Sequence, residues 1–144
     1  MLRRSFLPFL LLAVVVSTGF RRDPWARQVR EQLDAILDEM NVSGFALTHD
    51  PFVGSLDDAE AEDLTVELEA GTEYYLVGAC DEDCSDVDLA LYNRSGGLVG
   101  QDIEEDDYPV LHVQPVRSGA YTVRATMAAC SEEPCRYGVG VYGN

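Results

Sequence analysis

Apolar and polar residues alternate with a period of two over most of the chain from about residue 43 onward. Between Leu64 and Leu68, for example, every second residue is apolar. This alternation is typical of strands with one buried and one solvated face, and short strands of this kind favour antiparallel sheets. The predicted strands lie at 45–47, 64–68, 73–80, 86–93, 98–101, 108–113, 120–129 and 137–141. About eight short strands with no helix between them predict a β-sandwich or barrel.

A helical period precedes the strands. Asp23 suits an N-cap and Pro24 the first position of a helix, and Asn41–Gly44 supplies the residues that end one. The apolar residues at helical spacing are Trp25, Val29, Leu33, Ile36, Leu37 and Met40. We expect this face to pack on the following domain. The alternative is a surface for a partner or for self-association, in which Trp25, Val29 and Leu33 make the contact.

The first 19 residues have the three parts of a secretory signal peptide. Arg3 and Arg4 precede an apolar run over 6–16, and the small residues Ser17 and Gly19 follow it. The run is shorter than the roughly 20 residues of a membrane span, so no stable membrane anchor should remain after cleavage. We therefore expect a signal peptide (1–19), a helical segment (20–42) and a β domain (43–144). The general secretory route is favoured over the twin-arginine route, and either the periplasm or the outside of the cell is the destination.

Acidic residues dominate the charge of the chain. Ten basic residues, all of them arginine, stand against 26 acids, for a net charge of -16. Nucleic acid is excluded as a partner, because phosphate binding requires concentrated positive charge. A well-solvated surface is the ordinary interpretation, with cation binding and adaptation to salt as the alternatives.

Four cysteines fall into two close pairs, Cys80 with Cys84 and Cys130 with Cys135. An even number of cysteines in an exported chain predicts disulfides. Zinc is the weaker alternative, because its usual ligand pairs are spaced C-x2-C. We expect the two local pairs, since each spans a turn in which the chain reverses. A long-range link such as Cys80–Cys135 is the alternative.

Two acidic clusters flank the predicted hairpin of 86–101, and could therefore meet in space. The first contains Asp81, Asp83, Asp86 and Asp88, and the second contains Asp102, Glu104, Asp106 and Asp107. Calcium takes six to eight oxygen ligands, so these eight acids are candidate calcium ligands. Neither loop has the helix–loop–helix calcium pattern. Solvated acidic turns are therefore the preferred interpretation.

Four segments in order carry a resemblance to a known family: LEAGTEYYLVG, DVDLALYNRSGGLV, PVLHVQP and SGAYTVRA. Together they resemble the bacterial pre-peptidase C-terminal domain, over about Ser43–Asn144. The resemblance implies an antiparallel jelly-roll-like β-sandwich, of the kind appended to secreted proteases and other exported proteins.

Motifs for catalysis are missing from the sequence. The two histidines, His49 and His112, have no nucleophile at a recognisable spacing, and neither G-x-S-x-G nor H-E-x-x-H occurs. We predict an exported, non-catalytic binding or accessory module for an unknown protein or polysaccharide. The alternatives are a structural subunit that assembles through its helix and, more weakly, a small hydrolase that uses carboxylates.

Overall fold

The computed structural model describes the backbone of residues 24–144 and the side chains of residues 27–144. The predicted signal peptide and the side chain of Trp25 lie outside the described residues. Within them, one helix, α1 (Pro24–Glu39), precedes nine strands. The strands are β1 (Ala46–Leu47), β2 (Phe52–Leu56), β3 (Ala61–Leu68), β4 (Tyr74–Cys80), β5 (Cys84–Tyr92), β6 (Leu98–Asp102), β7 (Val110–Val113), β8 (Gly119–Cys130) and β9 (Cys135–Gly143).

The strands form two antiparallel sheets. In the first sheet β9 pairs with β4 on one side and with both β1 and β2 on the other, and β7 forms the far edge beyond β4. The second sheet has the order β3-β8-β5-β6. The predicted fold class, a mainly antiparallel β-sandwich preceded by one helix, is confirmed.

The main core lies between the two sheets. Strand β5 shows the arrangement best: Val87, Leu89 and Leu91 are buried and face inward, while the residues between them face outward. The opposite sheet contributes residues such as Leu76 and Val141 to the same core. Full burial of a side chain of this size stabilises the fold by about 1.5–3 kcal/mol. The apolar positions of the alternating sequence pattern thus face the core, and the positions between them face the solvent.

Helix α1 covers the outer face of the first sheet. Its apolar residues Val29, Leu33 and Leu37 are buried against a second cluster of the sheet that includes Val77 and Tyr142. This confirms the expected packing of the helix on the domain. The alternative, a partner-binding surface that includes Val29 and Leu33, is wrong, because both side chains are buried between the helix and the sheet.

Glycines in β9 let the helix approach the sheet closely. A Cβ atom on Gly138 would lie 2.0 Å from Cγ1 of Val29, and one on Gly140 would lie 3.2 Å from Cδ1 of Leu33. Any larger residue at Gly138 would therefore push the helix away.

Among the described residues, no helix is both long and apolar enough to cross a membrane.

The strands differ from the sequence prediction in two places. Strand β2 was not predicted, because Gly54 and Ser55 interrupt its apolar pattern; its pairing with β9 makes it a strand. The acidic segment 57–63 was expected to be a loop, but β3 already begins at Ala61 and leaves only residues 57–60 as a connection.

Candidate functional site

The loops of the sandwich gather at two opposite ends. One end, here called the disulfide end, consists of the loops 57–60, 81–83, 103–109 and 131–134. The other, here called the groove end, consists of the loops 69–73, 93–97 and 114–118. Both predicted disulfides and most of the predicted metal ligands lie at the disulfide end.

Two disulfides close neighbouring turns. Cys80 is bonded to Cys84 with their Cα atoms 5.9 Å apart, and Cys130 to Cys135 at 5.8 Å. The local pairing predicted from the turns is therefore correct. The two turns are also joined to each other, since both the backbone N–H and the hydroxyl of Ser131 donate to the carbonyl of Asp83 at 2.9 Å. Hydrogen bonds therefore link the two disulfide-closed turns to each other.

The two acidic clusters do come together. Burial raises the pKa of Asp88, and repulsion from the carboxylates of Asp86, Asp102 and Asp106 raises it further. The pKa of Asp86 is also raised, first by burial and then by repulsion from Glu105 and Asp106. Both aspartates are half-buried and lie on the outward face of β5, opposite its inward apolar residues.

Several of these carboxylates accept hydrogen bonds from backbone N–H groups of the loops and the adjoining strands. Asp102 accepts a hydrogen bond from the backbone N–H of Val110 at 2.8 Å, and Asp81 accepts one from that of Arg136 at 2.8 Å. Asp106 accepts one from the N–H two residues further on. No three His, Cys, Asp or Glu side chains in residues 27–144 are placed to hold a metal ion. The predicted calcium ligands thus find no support as a set.

The other predicted ligands and both histidines also have ordinary surroundings. Glu104 and Asp107 are exposed, and Asp83 is half-buried. His112 points away from the core and stacks on Tyr75 with ring centroids 4.5 Å apart. His49 lies 2.9 Å from the hydroxyl of the preceding Thr48, which donates its proton to the carbonyl of Val141.

The groove end carries a feature that the sequence did not predict. A groove of about 620 Å³ lies between the β5–β6 loop and the β7–β8 loop. It is lined by Asn93, Arg94, Ser95, Val99, Gln114, Pro115, Val116, Arg117, Ser118, Gly119, Ala120 and Tyr121. Val116 is 90% exposed at its rim, and Val99 in the lining is also exposed. Apolar side chains exposed together beside a concave surface are typical of a binding site.

The first rim of the groove is a tight hairpin turn. The side-chain oxygen of Asn93 accepts hydrogen bonds from the backbone N–H groups of Ser95 and Gly97, both at 2.9 Å. Gly96 has a φ of 79°, which a residue without a Cβ adopts at little cost. The side chain of Asn93 therefore stabilises this turn.

The second rim is held against the neighbouring loop 69–73. Gly71 donates its N–H to the carbonyl of Pro115 at 2.9 Å and accepts a bond from the side-chain amide of Gln114 at 2.8 Å. The hydroxyl of the buried Tyr121 donates to the carbonyl of Arg117 at 2.8 Å. Val116 is thus displayed on a loop that is fixed on both sides.

One signal in the sequence could have pointed to the groove. Val116 is an apolar residue inside a predicted turn, directly after Pro115, where solvated residues are the norm. The meeting of this turn with the one at 93–97 depends on the strand order of both sheets, which the sequence does not reveal.

Comparison with known proteins shows a shared fold. No protein-family model and no curated protein matches the chain. Among solved structures, it is similar to PliG of Aeromonas hydrophila, a periplasmic inhibitor of g-type lysozyme, with a TM-score of 0.50 and 12% identity over 69% of this chain and 86% of that one. The Gap123 glycosylation-associated protein complex of Streptococcus agalactiae matches with a TM-score of 0.40 and 18% identity, over 71% of this chain and 39% of that one.

Proposed function

We propose that this protein is an exported, non-catalytic module that binds another protein through its groove end. The observation that carries the proposal is the pair of fixed loops that display apolar side chains around the groove. A surface held in its binding conformation loses little conformational entropy on association, so more of the contact energy appears as affinity. Two disulfides are in keeping with an exported chain, because such bonds persist in oxidising compartments.

The fold suggests which partner to test first. PliG, which shares the fold, is a periplasmic inhibitor of g-type lysozyme. We therefore propose a lysozyme as the partner of the present chain, and inhibition as the consequence of binding.

The test uses the protein purified from the periplasm of an expression host. Lysis of bacterial cells by g-type lysozyme should slow when the protein is added in excess, and calorimetry should show binding. Val116→Asp, which places a charge on the apolar rim, should weaken binding about tenfold or more.

Ile103→Asp is the matched control, because Ile103 is also an exposed apolar residue but lies at the disulfide end. It should leave binding unchanged. If Ile103→Asp weakens binding and Val116→Asp does not, the binding surface lies at the disulfide end and our assignment is incorrect. If the wild-type protein neither binds nor inhibits g-type lysozyme, that partner is rejected.

A further inference from the structure

Two arginines lie in the groove, one on each loop: Arg94 and Arg117. Neither lies within 4.0 Å of a carboxylate of the described residues. Other arginines of the described chain form salt bridges: Arg27 with Glu31, Arg30 with Asp50, and Arg124 with Asp63.

Unpaired arginines are unexpected in this chain, because acids outnumber basic residues by 26 to 10. A guanidinium group stays charged at any physiological pH and presents donors in a fixed fork that matches a carboxylate. The acidic clusters lie at the opposite end of the sandwich. The lining of the groove contains these two arginines and no acid, although Glu69 and Glu73 lie on the third loop of the same end. The lining is therefore cationic, with apolar side chains beside the arginines, on a strongly anionic protein.

We infer that the groove binds a segment of a partner protein that presents a carboxylate beside an apolar side chain. The carboxylate contacts Arg94 or Arg117, and the apolar side chain packs on Val99 and Val116. This inference rests on the proposed protein-binding function and adds the chemistry that the partner must present.

The charge of the whole chain favours a protein over an anionic polysaccharide as the partner. A net charge of -16 repels a polyanion at long range. A protein with a positive surface and one local carboxylate is attracted at long range and then fits the groove at short range. The exposed apolar side chains at the groove are aliphatic, and its one aromatic residue, Tyr121, is buried.

A peptide titration tests the inference without any knowledge of the natural partner. A capped Leu-Glu-Leu peptide is added to the isotope-labelled protein and followed by backbone amide NMR. Perturbed amides should be confined to residues 93–99 and 114–121, and capped Leu-Gln-Leu should bind about tenfold more weakly. The inference is overturned if the groove amides do not respond, or if the two peptides bind equally well.

A pair of double variants separates the local charges from the net charge. Arg94→Gln with Arg117→Gln should weaken binding of Leu-Glu-Leu, and of g-type lysozyme where that binds, by about tenfold or more. Arg27→Gln with Arg30→Gln changes the net charge equally but lies on α1, and should alter binding by less than about twofold.

The two proposals fail in different ways. Peptide binding in the groove without any lysozyme binding supports the carboxylate chemistry and rejects lysozyme as the partner. If both double variants bind lysozyme equally well, the proposed function stands, but the role of Arg94 and Arg117 is rejected.

Discussion

The close approach of α1 to β9 predicts a strong and specific effect of adding one methyl group at Gly138. In Gly138→Ala the new Cβ would lie 2.0 Å from Cγ1 of Val29, whereas carbon atoms prefer about 3.5–4.0 Å. Val29 is buried and its β-branched side chain has little rotational freedom, so it cannot simply turn away. The helix must move off the sheet or the strand must shift.

The loss of unfolding free energy expected in Gly138→Ala follows from the cost of overpacking. Insertion of a methyl group into a well-packed interface typically costs about 1–3 kcal/mol, and this contact is at the severe end. Val29→Ala alone removes two methyl groups and should cost about 1.6 kcal/mol, at about 0.8 kcal/mol each. In the double variant the new methyl group occupies space that Val29 has vacated. We therefore expect the double variant to lie within about 1 kcal/mol of Val29→Ala, with a coupling energy of about 2–3 kcal/mol.

Urea unfolding followed by far-ultraviolet circular dichroism, with both disulfides intact, measures all three free energies. Gly100→Ala is the matched control, because Gly100 also lies in a strand but its added Cβ would meet Val113 at an ordinary 3.6 Å. That change should be neutral or stabilise by about 0.5 kcal/mol. A harmless Gly138→Ala, or a loss of stability that is the same with valine and with alanine at position 29, would show that Val29 does not resist the added methyl group.

Three further predictions concern the disulfides and the charged groups. Replacement of Cys130 and Cys135 by serine should lower the free energy of unfolding by about 2 kcal/mol on the loop-entropy model, and urea titration would measure it; no loss would show that the bond is not a structural constraint. The folded-state pKa of Asp88 lies above its unfolded value. The free energy of unfolding therefore falls as pH rises through the folded pKa and Asp88 becomes ionised. Asp88→Asn should therefore raise the urea midpoint at neutral pH, with a gain that disappears below about pH 4; a gain that persists there would reject the electrostatic cause. The pH dependence expected at Asp63 has the opposite sign, because its hydrogen bond with Arg124 lowers the pKa of Asp63. Asp63→Asn should lower the midpoint above about pH 4, and the loss should vanish in stronger acid, whereas a loss at all pH values would indicate lost packing.

The strict alternation of apolar residues carried most of the fold prediction. Strand β5 could be predicted because Val87, Leu89 and Leu91 form one inward face by themselves. Strand β2 could not, because Gly54 and Ser55 leave it without such a face. Its strand conformation comes from hydrogen bonds to β9, a partner about 80 residues away in sequence. Pairing of this kind is a tertiary effect that a local pattern does not contain.

The candidate site was harder to predict, for a related reason. The acidic residues were conspicuous in composition, yet side chains such as Asp102 bond the backbone of their own loops. The groove consists of few and ordinary residues from two distant turns, and only the strand order brings Arg94 near Arg117. The local disulfides, in contrast, depended only on turns that the sequence predicts. The resemblance to the pre-peptidase C-terminal domain stays a prediction.

The local disulfides also have a consequence for how the chain reaches its oxidised form. In each of the two bonds a cysteine is joined to the next cysteine along the chain, four or five positions away. A loop of about this length closes in well under a microsecond even in an unstructured chain, so the two thiols of each pair meet often before the fold has formed. In a chain that enters an oxidising compartment from its N-terminus, Cys84 arrives when Cys80 is the sole thiol available to it. The bond between them can then form before Cys130 and Cys135 arrive, which favours the local pairing over a long-range link such as Cys80–Cys135.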